Sequence, residues 1–308
     1  MDTLHRVKRA KSDERGFALL YVVLAMMVIM ASTAIALDIG KMVHHKIELG
    51  NWVDAAALAG ALELPDEGDA ETYAEEYLLV NNGGDGTGLE YEFPDTSSGR
   101  IRVTATRQVP FSFARVLGFE ESTVSAAATV IRGVISGLGG VIPIGVEDDI
   151  FLEGSAYGPI TLKVGGGEGS CGNYKALALG GTGADVYEGN LHDGYDGVIR
   201  VGDTFDTETG VMAGPTKSGL KDRLACSHTL EDAPEDCPRF VYVPIVAEGS
   251  FGEINGRDEV KIVGFALFFL ESVSGQGVIE GTFVKKLTEG EVSSSGKNYG
   301  LEGIKLVE

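Results

Sequence analysis

FALLYVVLAMMVIMASTAIAL, residues 17–37, is an uncharged run with no proline or glycine. At about 1.5 Å rise per residue, a helix of this length crosses a hydrocarbon core of roughly 30 Å. A secretory signal peptide has a shorter apolar region, about 7–15 residues, followed by a small-residue cleavage site. A retained anchor, running from Phe17 through Tyr21 to Leu37, is therefore favoured over a cleaved leader. Arg6, Lys8, Arg9, Lys11 and Arg15 precede the run, and only Lys41 and Lys46 follow it closely. An excess of Lys and Arg marks the cytoplasmic flank. The expectation is a single-pass protein of the cell membrane, with a basic cytoplasmic tail (1–16), a transmembrane helix (17–37) and an extracytoplasmic body.

The body is acidic. The chain has a formal net charge of −21, and residues 1–16 hold five basic and three acidic side chains, which leaves −23 on the remainder. Nucleic acid and anionic lipid headgroups are poor partners for such a body, because phosphate is bound by Lys and Arg. Solubility outside the cell is the simplest reading of the acidity, with calcium as the second. Asp193, Asp196, Asp203 and Asp206 lie in a Gly-rich stretch with Asp185, Glu188 and Glu208. Calcium takes six to eight oxygens from flexible loops, but the EF-hand spacing is not met. Of three cysteines, Cys226 and Cys237 are placed to bridge in an oxidising compartment, with Cys171 left over. No CxxC or Cys/His spacing signals zinc.

The apolar pattern continues beyond the span. Ile39, Met42, Val43, Ile47, Trp52, Val53, Ala56, Ala57, Ala59 and Ala61 recur mostly every three or four residues, a helical period. Pro65 and the acidic run after it end the pattern. One helix of roughly 45 residues is expected to leave the membrane and dock its second half on a head. Within it, Asp54-Ala55-Ala56-Ala57-Leu58-Ala59-Gly60-Ala61-Leu62 is a small-residue face. It fits either close packing in the head or lateral contact with another membrane-anchored subunit.

The order of Arg15-Gly16-Phe17, the apolar span, Asp38-Ile39-Gly40 and then DAAALAGAL resembles the N-terminal segment of TadE/TadG-like proteins of Tad (Flp) pilus systems. Val53 stands where the family pattern usually has alanine. The resemblance implies a pilus-assembly role and other Tad/Flp components as partners. Arg15-Gly16-Phe17 also resembles a prepilin peptidase site. Pilins usually carry glutamate at the fifth position after that cut, and here it is Tyr21, so the resemblance implies a retained TadG-like anchor.

Asp69–Val80 reads as a short helix with Asp69 as its N-cap. Leu89–Phe93 and Arg100–Val109 alternate across PDTSSG and read as a hairpin. A brief helix at Phe111–Leu117 and a third strand at Ser122–Val130 complete a pilin-like α+β head, residues 38–133. VISGLGGVIP, residues 134–143, reads as a linker. Residues 144–308 are Gly-rich, with short apolar runs at 160–164, 198–201, 240–246, 260–270, 278–284 and 303–307, which favours a mainly β domain. VKIVGFALFFL, residues 260–270, reads as a strand buried on both faces. Pro143-Ile144-Gly145, residues 172–184, the 201–216 region and VGFALFFLE also resemble the C-terminal part of TadE/TadG-type proteins.

Motifs of chemistry are weak. Gly165, Gly166, Gly167 and Gly169 lack the strand–GxGxxG–helix context, and Gly214–Ser218 lacks the P-loop glycine before its lysine. Ser294–Lys297 fits SxxK formally but has no SDN or KTG companion. Asp95–Gly99 fails the DxSxS opening of a von Willebrand A domain. Neither His192 nor His228 has a recognisable partner spacing. The expectation is a non-enzymatic structural protein with no cofactor. The alternative is a cell-surface adhesin or glycan-binding protein unrelated to pili.

Overall fold

The computed structural model describes residues 14–83, 88–151, 157–164, 173–209, 212–251 and 257–307. The basic residues Arg6, Lys8, Arg9 and Lys11, the glycines at 165, 166, 167 and 169, and Cys171 lie outside the described residues. One helix, α1 (Glu14–Glu63), carries the apolar run and its extension without a break. At about 1.5 Å per residue it is about 75 Å long. Phe17, Tyr21 and Leu37 are exposed along its first half, while Leu49, Val53, Ala56, Ala57 and Ala61 are buried along its second.

A second helix, α2 (Glu67–Asn81), packs back on α1 through Ala70, Ala74 and Leu78. It begins two residues before the expected start. Asp66, rather than Asp69, is the N-cap, because its carboxylate accepts from Gly68 N at 3.1 Å and Asp69 N at 3.0 Å. The hairpin β1 (Leu89–Ser97) and β2 (Arg100–Pro110) is antiparallel. Its turn shrinks to Ser98-Gly99, because β1 runs on through Pro94 by a register shift between Glu92 and Asp95. Proline has no N–H for the ladder, and such a shift accommodates it. After a 3-10 turn at Ala114–Leu117, β3 (Glu121–Leu138) pairs with β2 over its first half. Ile101, Val103, Ala105, Val124, Ala128 and Val130 point at α1 and form the head's core with it.

The expected linker is not a linker in its first half. β3 continues through Leu138, and Ile135, Leu138, Val141 and Ile142 are buried. Of the glycines that suggested flexibility, Gly137 lies within the strand against Glu291, whose carboxylate a Cβ there would meet at 2.7 Å.

The remaining elements are β4 (Ile144–Glu147), β5 (Pro159–Val164), β6 (Asn173–Ala176), α3 (Ala184–Asp193), β7 (Ile199–Arg200), β8 (Thr204–Asp206), α4 (Ala213–Leu220), β9 (Phe240–Val246), β10 (Glu259–Val273), β11 (Ile279–Val284), β12 (Lys286–Leu287), β13 (Glu291–Ser293) and β14 (Leu301–Leu306). The mixed α+β class and the mainly β second region are as expected. The boundary between the regions is not, because β14 returns to pair antiparallel with β3 from Val130 to Val134. Arg132 ties this junction together. Its Nε donates to Glu302 at 2.8 Å, and its Nη1 donates to the carbonyls of Leu62 and Leu64 at the end of α1.

Among the described residues, β9, β10, β11, β5, β6 and β4 pair in a closed ring, a small barrel with parallel pairs at β5/β6 and β4/β9. Val241, Val243, Ile245, Ala266, Phe268 and Leu270 point into it. As expected, β10 is buried on both faces: Val260, Ile262, Phe265 and Leu267 belong to a second cluster with Ile135, Leu138 and Leu301. A register shift between Ile262 and Gly264 switches the outward set from even to odd positions. The short helices α3 and α4, which the sequence did not announce, add Tyr187, Leu191 and Leu220 to the barrel's core cluster.

Candidate functional site

The most organised feature outside the cores lies where the apolar half of α1 ends. Asp38 is nearly fully buried. Its carboxylate accepts from three consecutive backbone amides of the β2–β3 loop: Ser112 N at 2.7 Å, Phe113 N at 3.0 Å and Ala114 N at 2.7 Å. These amides open the 3-10 turn, and an acceptor there satisfies groups the turn leaves unpaired. Burial pushes the carboxyl pKa up, but the three amides and nearby Lys41 outweigh it and hold Asp38 below its ordinary value. One turn on, Lys41 Nζ donates to Pro110 O at 2.7 Å. The loop closes on itself where Phe111 N donates to Glu120 O at 3.0 Å. The aspartate of the Asp-Ile-Gly motif thus clamps a loop to the helix at one fixed height.

That loop presents Phe113, Val116 and Phe119 outward, all exposed. Phe113 and Val116 line an apolar groove of about 500 Å³ against Ile29, Met30, Thr33 and Leu37 of α1. From Leu37 back to Ile29 is about 12 Å along the helix, so the loop stands beside the last turns of the apolar run. In the same turns Ser32 Oγ and Thr33 Oγ1 donate to the carbonyls of Val28 and Ile29, at 2.8 and 2.9 Å. Their hydroxyls therefore need no water.

The small-residue face is not free for a neighbour. Ala56, Ala57, Ala59 and Gly60 are buried in the head, and only Asp54, Ala55 and Leu58 keep partial exposure. A Cβ on Gly60 would meet Ala70 O at 2.5 Å and Ile101 Cδ1 at 2.8 Å. Small side chains here let α1 approach α2 and β2 closely, so the buried members of the expected subunit contact pack inside the head.

The acidic residues weighed for calcium do not converge. Asp193 Oδ1 pairs with its neighbour His192 at 2.6 Å, Asp203 Oδ2 accepts from Arg200 N at 2.8 Å, and Asp206 lies in β8 against Glu259 of β10. Among the described residues, none of Asp193, Asp196, Asp203 and Asp206 belongs to a group of three or more ligand side chains with convergent donor atoms. The group that does converge is Cys226, His228 and Cys237. Cys226 and Cys237 come together as expected, but as thiols, with their sulfurs 3.7 Å apart. A disulfide needs about 2.05 Å. His228, whose Nδ1 lies 3.6 Å from Cys237 Sγ, was not grouped with them from the sequence. The Cys226-x-His228 spacing was the available signal.

The lysine of the formal SxxK pattern is engaged elsewhere. Lys297 Nζ donates to Asp148 Oδ2 at 2.6 Å, and the same carboxylate accepts from Tyr299 Oη at 3.2 Å and Glu248 N at 2.8 Å. Burial raises the Asp148 pKa, and these donors outweigh it and bring it below its ordinary value. The Tyr299 hydroxyl is pushed well above its ordinary value by burial and by the Asp148 charge. His192 touches two carboxylates, Asp193 and Asp222, whose hydrogen bonds raise its pKa. Beside the Arg132 junction, a polar cleft of about 620 Å³ is lined by Phe151, Tyr157, Lys285, Lys286 and Glu302, with Lys285 Nζ 4.7 Å above the Tyr157 ring.

Comparison with protein families gives two overlapping matches. Residues 16–63 match a family described as "Putative Flp pilus-assembly TadE/G-like". Residues 46–129 match one described as "Putative Tad-like Flp pilus-assembly". Together they run from the start of α1 into β3, and they take in Asp38, the small-residue face and the clamped loop. Neither match reaches residues 144–308, so the resemblance read there stays untested. Curated proteins and solved structures give no match.

Proposed function

The segment from residue 16 to residue 129 belongs to the TadE/TadG-like family of Flp pilus assembly, and from that premise we propose that the chain is a single-pass, non-enzymatic structural component that holds an extracytoplasmic body at a fixed distance from the membrane. The observation that carries this is the continuity of α1. One helix has an exposed apolar half long enough to cross a membrane and a second half buried in the head. The Asp38 clamp sits where the two halves meet, and with it the loop carrying Phe113, Val116 and Phe119 lies beside the end of the span. In this reading those side chains rest in the outer membrane interface, and the body has little freedom to tilt.

The charge asymmetry of the flanks supports a cytoplasmic N-terminus. With the small-residue face used inside the head, contact with other pilus components falls to the exposed apolar half of α1 and to the outer surface of the body. A pull-down of the tagged chain from detergent-solubilised membranes tests the assignment. It should recover other Tad/Flp components, and recovery of none would count against it. A second reading, a surface module that binds an external ligand, is favoured by the polar cleft with Tyr157 and Phe151. A glycan array probed with the full chain tests that reading. Residues 141–308 alone are unsuitable, because β14 needs β3 as its partner.

A further inference from the structure

The Cys226–His228–Cys237 group takes no part in anchoring. Cys226 lies at the end of a 3-10 turn (Arg223–Ala225), and Cys237 just precedes β9, so the segment between them folds back on itself. The Arg239 guanidinium fixes the first limb, donating to Cys226 O at 2.5 Å and to Leu224 O at 3.3 Å, and it reaches Leu270 O of β10 at 3.3 Å. Thr229 N donates to Asp232 Oδ1 at 2.5 Å and holds the turn between the limbs. Cys237 is buried, whereas Cys226 and His228 are half-buried, and the three donor atoms lie within 4.8 Å of one another.

The spacing of the donors is specific. Around a tetrahedral zinc ion, with zinc–sulfur bonds of about 2.3 Å and zinc–nitrogen bonds of about 2.0–2.1 Å, the sulfur–sulfur edge is about 3.8 Å and the sulfur–nitrogen edge about 3.5 Å. The protein has 3.7 Å between Cys226 Sγ and Cys237 Sγ, and 3.6 Å between Cys237 Sγ and His228 Nδ1. The third pair, Cys226 Sγ and His228 Nδ1, lies within 4.8 Å. Two soft thiolates and an imidazole select zinc over calcium or magnesium.

We propose that Cys226, His228 and Cys237 bind one zinc ion, with the fourth position open to water or to a donor from a partner. Zinc binding would lock the 226–237 segment onto the barrel. The full chain, purified in detergent under reducing conditions and stripped with a chelator, is titrated with cobalt(II) and then with zinc. One equivalent of cobalt should give thiolate-to-cobalt charge-transfer absorption and tetrahedral ligand-field bands, and zinc should abolish both. Cys226→Ser and Cys237→Ser, each leaving one thiolate, should at least halve the charge-transfer absorption. His228→Ala should weaken zinc binding at least about tenfold, since loss of an outer-shell partner alone costs about 10–100-fold. The wild-type cobalt spectrum decides the matter even if a cysteine variant fails to fold. Absence of that absorption in reduced wild-type protein would overturn the proposal. So would a Cys226–Cys237 disulfide in protein isolated from membranes without added oxidant.

Discussion

Two glycines of the same helix offer a controlled test of how α1 is used. An alanine at Gly60 places its Cβ 2.5 Å from Ala70 O and 2.8 Å from Ile101 Cδ1. The carbonyl is backbone of α2 and cannot rotate away, so the helices must separate by several tenths of an ångström. Overpacking of this kind costs about 1–3 kcal/mol. Against it stands the gain of about 1 kcal/mol from replacing glycine by alanine inside a helix. Gly50→Ala receives the same gain with nothing within 4 Å of the new Cβ, so it should stabilise by about 0.5–1 kcal/mol. Gly60→Ala should therefore lie about 1–3 kcal/mol below Gly50→Ala, and that difference is the packing cost alone. Urea unfolding in one detergent, followed by the fluorescence of Trp52, the single tryptophan, measures both variants. Equal stabilities would refute the reasoning. They would mean that Gly60 faces open space and that the small-residue face is available to another subunit.

The clamp and the Lys297–Asp148 ion pair make further predictions. Asp38→Asn should speed proteolysis within residues 111–120 while leaving the chain in the membrane fraction, as mapped by mass spectrometry of limited digests. Asp38 and Asp148 both have folded-state pKa values below the ordinary carboxylate value of about 3.9. Each contribution is therefore complete above that value and is lost as the pH falls through the folded value. The acid dependence of cleavage in the loop should shrink in Asp38→Asn. Lys297→Met leaves the buried Asp148 carboxylate without its cation. Because Lys297 is 63 % exposed and partly screened, the cost should be about 1–2 kcal/mol in urea unfolding, with Lys297→Arg recovering part of it.

The elements that were legible in the sequence are those whose signal is periodic and long. The 50-residue helix was legible because apolar residues recur at helical spacing well past Asp38. β9 and β10 were legible because Phe240–Val246 and Val260–Leu270 are dense in β-branched and aromatic residues. What was missed has a local cause. Glycine in 134–143 reads as a linker when only the chain is seen, yet Gly137 is a strand residue paired with Glu291 from far along the sequence. α3 and α4 are 10 and 8 residues long; α3 holds Gly189 between Gly183 and Gly194, and α4 holds Gly214, Pro215 and Gly219, so neither has enough periodicity to stand out. The site follows the same logic. The Asp-Ile-Gly motif marked Asp38, but its partners lie 74–76 residues away and could not be read from spacing. The Cys226/His228/Cys237 group was half visible, as two cysteines without their histidine.

The central claim is a retained helix that crosses the membrane once and leaves the body outside. Protease added to sealed right-side-out membrane vesicles carrying an N-terminally tagged chain tests it most directly. The account predicts that the body is digested while a short fragment survives in the membrane, holding the tag, residues before Phe17 and the span. A protected body with a digested tag would contradict it. So would a chain that has lost its tag and begins at Phe17.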